Sequence, residues 1–577
     1  SLCSTPLEQV VLFSSPTNMP AEDSRPNKRV KLENEDNFHP DLLSQATRDK
    51  IAEAFKVSKP YLHCKIDQLM NDSLLRQVRK EIFDNLHFTL KETDIYKVHQ
   101  TGDLANLDGL PKEELDKLPS IFKLRNAIYS QDFRDFISHI TGCGPLSGSK
   151  ADMSINNYLD GCHLLNHDDV IGTRRVSYIL YLTDPDERWD PKNGGALELY
   201  PVIEKGTPAN EPSLIIPPQW NQFCMFTVQP GHSFHSVEEV VPVGKPRLSI
   251  SGWFHIPQEG EPGYSETQEA DLPQSSLQQL EAPDSSHDFS HYSQDLDEDA
   301  TDGLTEEDLK ELIDWINPQY LDMNIMAQIS EKFVEESVIQ CKDFLKPEFA
   351  KLVEEATLRD DEEKGFCTEK MPAHGTGVGN GWKVHGPPHK HRYMVVDTQQ
   401  EPKPESSAEL FLNLQTHFAS QSFRRWIAVI TQLIAKGYRG GARRFRPGLD
   451  YTLATMNTRG QAILDVTLGM ALTKDRQAAN KWESDEFGAY ECYMAPHDEE
   501  EDPSTYKAAD DDGALLTLSP SSNVLSIVLR DEGVMRFIKY VSARAPGSRW
   551  DVSFEYDLPE DQDGDDEDEE EEGQEEK

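Results

Sequence analysis

Positive charge is what this 577-residue chain has least of: 57 lysines and arginines stand against 103 aspartates and glutamates, a net charge of −46. A field of that sign repels phosphate, so direct binding to a nucleic-acid backbone is not expected, whereas a basic protein is attracted. Paired cysteines are missing too. The eight present, at 3, 64, 143, 162, 224, 341, 367 and 492, form no C-x-x-C and no paired spacing. That pattern predicts free thiols in a reducing compartment. No run of about 18 apolar residues occurs, and the first thirty residues lack a charged-then-apolar leader. A soluble, intracellular protein with no membrane role is expected.

The uneven charge divides the chain. Residues 258–303 carry 13 acids and no Lys or Arg, and residues 559–577 carry 13 acids and one Lys. Such runs repel themselves and bury nothing, so 258–303 is expected to be a disordered linker and 559–577 a disordered tail. Residues 1–38 read as a flexible arm, within which "PNKRVKLE" (26–33) has the form of a nuclear import signal. Between these lie two sections, 39–257 and 304–558, each long enough for its own core.

Both sections pass from helical to strand patterning. In the first, Asp72 or Ser73 is placed to cap a helix with Leu74, Leu75, Val78, Ile82 and Leu86 on one face, and Ser130 to cap Phe133, Phe136, Ile137 and Ile140. From about residue 150 short β-type runs follow: "RVSYILYL" (175–182), "ALELY" (196–200), "QFCMFTV" (222–228) and "RLSISGWF" (247–254). In the second section Thr305 and Asp308 form a capping-box pattern. Aligning "FTVQPGHSFHSVEEV" (226–240) with "IVLRDEGVMRFIKYV" (527–541), and "RLSISGWF" with "RWDVSFEY" (549–556), suggests an internal repeat in which Arg536 stands opposite His235. The fold class expected is mainly β, a sandwich or barrel with flanking helices.

The chemistry begins at "HDD". In an extended segment His167 and Asp169 project to one side and Asp168 to the other. With His235 of "SFHSV" they make two histidines and one carboxylate, the facial triad of non-haem Fe(II) oxygenases. Strand parity then puts Arg247, Ser249 and Ser251 on one face, and a guanidinium buried in a small barrel requires an anion, best a bidentate carboxylate. A dicarboxylate whose other end chelates iron satisfies both groups, and 2-oxoglutarate is such a molecule. Tyr181 can add a hydroxyl to the same carboxylate. A zinc hydrolase with the same three ligands would leave Arg247 without that partner. His385, His389 and His391 in "HGPPHKHRY" are interrupted by prolines and lack a carboxylate at ligand spacing, so a loop or domain contact is expected there. The glycines of "HGTGVGNGW" (374–382) do not form a phosphate loop.

The stretches "NHDDVIGTRRVSYILYL", "NGGALELY", "SFHSVEEV", "RLSISGWFH", "LTEEDLKELIDWINPQYLDM" (304–323) and "GPPHKHRY" (386–393) resemble the 2-oxoglutarate- and Fe(II)-dependent prolyl 3-hydroxylases of a small-subunit ribosomal protein. That group includes the fungal Tpa1/Ofd1 proteins. The resemblance implies two double-stranded β-helix (jelly-roll) domains in tandem, only the first with metal ligands. It implies His167, Asp169 and His235 as iron ligands, Tyr181 and Arg247 as 2-oxoglutarate contacts, and ascorbate as a reductant. It further implies hydroxylation of a prolyl C3 in a basic ribosomal protein, with an effect on translation accuracy and termination. The import signal adds the expectation of a nuclear and cytoplasmic protein. The alternative is an oxygen- or iron-sensing scaffold that binds a nuclear partner through the C-terminal section.

Overall fold

Alternation along the Arg247–His255 strand organises the first half. Leu248, Ile250 and Phe254 join a core with Leu74, Leu75, Val78 and Ile82 of the Asp72–Asn85 helix and Phe133, Phe136 and Ile137 of the Gln131–Thr141 helix. Arg247, Ser249, Ser251 and Trp253 take the opposite face. This computed structural model describes residues 35–104, 109–266, 288–366, 369–471, 481–495 and 513–559. The import-like cluster at 26–33, nearly all of the N-terminal arm and the acidic tail from 560 lie outside the described residues, as do 267–287 of the acidic linker.

The main sheet of the first half is antiparallel and has 11 strands. Its main order is His63–Ile66, Phe223–Thr227, Arg174–Tyr181, Arg247–His255, Ala151–Tyr158, Tyr96–Gln100, His163–His167, His235–Val237, Leu197–Leu199 and Leu214–Ile216. Cys224 and Phe226 near one end of that order pack with Leu197, Leu199 and Ile216 from the other, with Tyr61 and Tyr181 in the same cluster. The sheet therefore curls until its two ends share a core. The expected strands are present, and the curl gives the β architecture an inside.

The second half builds a nine-stranded sheet and a four-stranded one, covered by the Met323–Glu336, Ser407–Phe418 and Gln421–Thr431 helices. Strand pairing supports the sequence alignment. His235 pairs with His167 on one side and Leu199 on the other, and Arg536 pairs with Thr455 and Tyr493. Where the first half has His167, Asp169 and His235, the second has Thr455, Asn457 and Arg536.

Two sequence expectations need correction. The acidic linker does not extend through residue 303: Ser290–His291 pairs with Gly437–Tyr438, Phe289 and Ala300 are buried, and Gln294 O accepts from Arg424 Nη1 at 2.8 Å. A few apolar residues among the acids suffice to dock this stretch onto the C-terminal half. The first-half helix Asp72–Asn85 is capped by Asn71, whose Oδ1 accepts from Leu74 N at 3.2 Å, and not by Asp72 or Ser73. Asp72 instead accepts from Trp220 Nε1 at 2.7 Å. Ser130 and the Thr305–Asp308 capping box cap their helices as expected. Asn71→Ala is expected to cost about 1 kcal/mol in urea unfolding, while Ser73→Ala should change stability by less than about 0.5 kcal/mol.

Candidate metal and co-substrate site

The His163–His167 strand ends at His167, and the next two residues turn. Asp169 has φ +59°, in the left-handed region, so the two side chains converge through a turn and not through the extended alternation expected from the sequence. Aspartate tolerates that conformation better than most residues. Asp168 faces away: its carboxylate accepts from Val170 N at 3.4 Å and Gly231 N at 3.3 Å, tying this turn to the one before His235.

Antiparallel pairing of His235 with His167 brings the third group in. His167 Nε2 lies 3.0 Å from Asp169 Oδ1 and His235 Nε2 lies 3.4 Å from Oδ2. The three ligand atoms fall within 4.8 Å of one another, which no other set of three or more His, Cys, Asp or Glu residues achieves among the described residues. His167 Nδ1 faces Leu165 O at 2.8 Å and His235 Nδ1 faces Ser233 O at 2.9 Å. A carbonyl only accepts, so each Nδ1 donates and each Nε2 is turned to the shared point.

Burial alone would push the Asp169 carboxyl up, but the charges and hydrogen bonds of His235 and His167 hold it well below the usual carboxylate range. Burial disfavours the His167 cation, and the hydrogen bond and charge of Asp169 outweigh it and raise its pKa. This proton-bridged cluster is one that a divalent cation can replace.

Two residues that the sequence reading passed over fix the carboxylate. Asp169 Oδ2 accepts from Ser177 Oγ at 3.0 Å and Trp253 Nε1 at 3.1 Å. Both were within reach of the parity rule: Trp253 continues the Arg247, Ser249, Ser251 face, and Ser177 shares a face with Tyr181.

Arg247 and Tyr181 sit at the opposite ends of the same two strands. Arg247 is 1% exposed. Its Nε donates to Gly195 O at 2.7 Å and its Nη1 to Ser249 Oγ at 3.4 Å, while Nη2 has no hydrogen-bond partner. The guanidinium carbon lies 4.6 Å from the centroid of the Tyr158 ring and 5.0 Å from that of Tyr181. The Tyr181 hydroxyl is buried, makes no hydrogen bond of good geometry and faces the Arg247 guanidinium; burial pushes its pKa up, so it remains a donor. Two orphaned donors around a buried positive charge fit a carboxylate. The second half solves the same problem internally. Arg549 aligns with Arg247 and pairs at 3.1 Å with Asp551, the residue in the place of Ser249. Arg536 is held by Glu491 and, at 3.2 Å, by Asp465.

The histidines of "HGPPHKHRY" act as packing groups. His389 lies 5.2 Å from Phe234, ring to ring, and His385 stacks on His391 at 4.9 Å. His389 thereby makes the expected domain contact. Loading with Mn(II) tests the triad. His235→Ala is expected to lose stoichiometric metal, and Ser177→Ala to bind it roughly 10-fold to 100-fold more weakly, as read by metal analysis after gel filtration. Full retention by His235→Ala would remove these three residues as ligands.

Two family models match the chain. The 2OG-Fe(II) oxygenase superfamily covers residues 153–255, and the oxoglutarate and iron-dependent oxygenase degradation C-term covers 307–565. Prolyl 3,4-dihydroxylase OGFOD1 of Ostreococcus tauri is 36% identical over 505 residues, spanning 86% of this chain and 95% of its own. Prolyl 3-hydroxylase OGFOD1 of Mus musculus is 28% identical, spanning 92% and 98%. Prolyl 3-hydroxylase sudestada1 of Drosophila melanogaster is 26% identical, spanning 87% and 84%. With its triad, its orphaned arginine and a relative of this identity along nearly the whole length, the chain belongs to the OGFOD1 family of 2-oxoglutarate- and iron-dependent prolyl hydroxylases.

Proposed function

We propose that this protein hydroxylates a prolyl residue, at C3, in a basic small-subunit ribosomal protein. The observation that carries the reading is the pairing of one clustered His/Asp/His triad with a buried arginine whose Nη2 and neighbouring Tyr181 hydroxyl both lack partners. Fe(II) with 2-oxoglutarate, when bound, supplies the oxidation of a C–H bond to C–OH by dioxygen, the oxo acid losing carbon dioxide to become succinate.

The chain's own residues do the rest. His167, Asp169 and His235 would hold the ion through three ligand atoms and would leave its remaining positions to co-substrate and oxygen. Arg247 and Tyr181 take the far carboxylate, and Ser177 and Trp253 keep Asp169 in one orientation. The Phe226 ring, 4.6 Å from that of His235, forms part of an apolar wall that keeps water from the reacting groups. A zinc hydrolase leaves the two orphaned donors without a purpose.

The substrate assignment draws on the printed activities of the relatives and on the acidic field, which steers a basic protein toward the site. Ascorbate would serve to keep the iron ferrous. A nuclear and cytoplasmic distribution, a role in translation accuracy and termination, and a nuclear regulatory partner meeting the C-terminal half complete the proposal. Two double-stranded β-helices in tandem, over 39–257 and 304–558, is the fold reading that accompanies it. Its support is the matched pairing around His235 and Arg536.

Incubating the candidate ribosomal peptide with enzyme, Fe(II), 2-oxoglutarate and oxygen should add one oxygen to a proline by mass spectrometry, with matching succinate. His235→Ala should abolish both signals. An unmodified peptide while 2-oxoglutarate still turns over would overturn the substrate and leave the oxygenase.

A further inference from the structure

Two carboxylates of the first half turn away from the site and into the second half. Glu198 lies on the strand beside that of His235, and Glu239 lies four residues beyond His235. They are 4% and 1% exposed. Glu198 Oε1 accepts from His374 Nε2 at 2.6 Å, while Arg392 Nη1 donates to His374 Nδ1 at 3.2 Å. Because the guanidinium can only donate, the ring proton sits on Nε2, directed at Glu198.

Glu239 is held more completely. Its carboxylate accepts from Tyr540 Oη at 3.1 Å, from Ser542 Oγ, and from Ala543 N at 2.7 Å, all groups of the second half. Its own carbonyl accepts from Gly195 N at 3.2 Å, and Gly195 O in turn accepts from Arg247 Nε at 2.7 Å. The two glycines of this path are closely packed. A Cβ on Gly194 would lie 1.9 Å from Glu239 O, and one on Gly195 would lie 3.0 Å from Arg247 Cδ.

We propose that Glu239 is a positioning residue through which the C-terminal half holds Arg247 in the orientation that receives the far carboxylate of 2-oxoglutarate. This rests on the co-substrate reading above. The second half then does more than stabilise the first: by gripping Glu239 it sets the affinity of a pocket built around Arg247, Tyr158 and Tyr181 of the first half. Removing the carboxylate leaves three donors unmet and frees the Gly195 segment to drift. A drift of under an ångström spoils a bidentate contact.

The test is 2-oxoglutarate binding to the full-length, Mn(II)-loaded protein by titration calorimetry, alongside Mn(II) affinity and thermal melting. Glu239→Ala should weaken 2-oxoglutarate about 10-fold or more with Mn(II) affinity within about 3-fold, and Glu239→Gln, which keeps an acceptor in place, should recover most of the loss. Arg544→Ala cuts another contact between the halves, to Asp160 at 2.7 Å, and should leave the binding within about 2-fold. If Glu239→Ala does not fold, Tyr540→Phe combined with Ser542→Ala should weaken binding about 3-fold or more. Unchanged 2-oxoglutarate affinity in these variants, or equal weakening in Arg544→Ala, overturns the proposal. Failure of the wild-type protein to bind 2-oxoglutarate overturns the co-substrate reading instead.

Discussion

A charge taken out of water must be matched, and in this molecule that constraint falls on arginine. Removing an ion from solvent costs several kcal/mol unless a partner offsets it. Arg247 meets the constraint only in part: a glycine carbonyl, a serine hydroxyl and two aromatic faces surround it, and one nitrogen is left over. The curled sheet, the polar inner face of the Arg247–His255 strand and the tyrosines around it surround that unmatched charge.

The second half shows the alternative. There the buried arginines Arg443, Arg530, Arg536 and Arg549 are paired with Asp465, Asp551, Glu491 and Glu555. A serine at 249 and an aspartate at 551, in matching places on matching strands, separate an arginine with a nitrogen left over from one paired with a carboxylate of its own strand. The same strand order thus surrounds one arginine that is left unmatched and one that is matched within the chain.

Much of the site was legible in the sequence because it depends on residue type and strand parity. His167, Asp169, His235, Tyr181 and Arg247 are polar choices in or beside β-forming runs, and parity put Arg247, Ser249 and Ser251 on one face. What could not be read depends on geometry without a local signature. The left-handed turn at Asp169 replaced the extended segment assumed for it. The Asn71 cap competed with two equally good neighbours, and Asp72 was already committed to Trp220. The order of residues 288–303 was hidden by their acids, since composition records charge and not the few apolar groups that dock. Glu239 and its partner Tyr540 are 301 positions apart, a separation at which no periodicity speaks.

Asp551 carries one more consequence. A folded unit that binds a ligand gains stability with the logarithm of its concentration, about 2.7 kcal/mol at a hundred times the dissociation constant. With Arg247 receiving a carboxylate as proposed, the first half is subject to that linkage. In the second half Arg549 is already paired with Asp551, so the linkage does not act through it. On that proposal the chain joins a part whose stability follows the supply of an oxo acid to a part whose corresponding arginine does not respond to it.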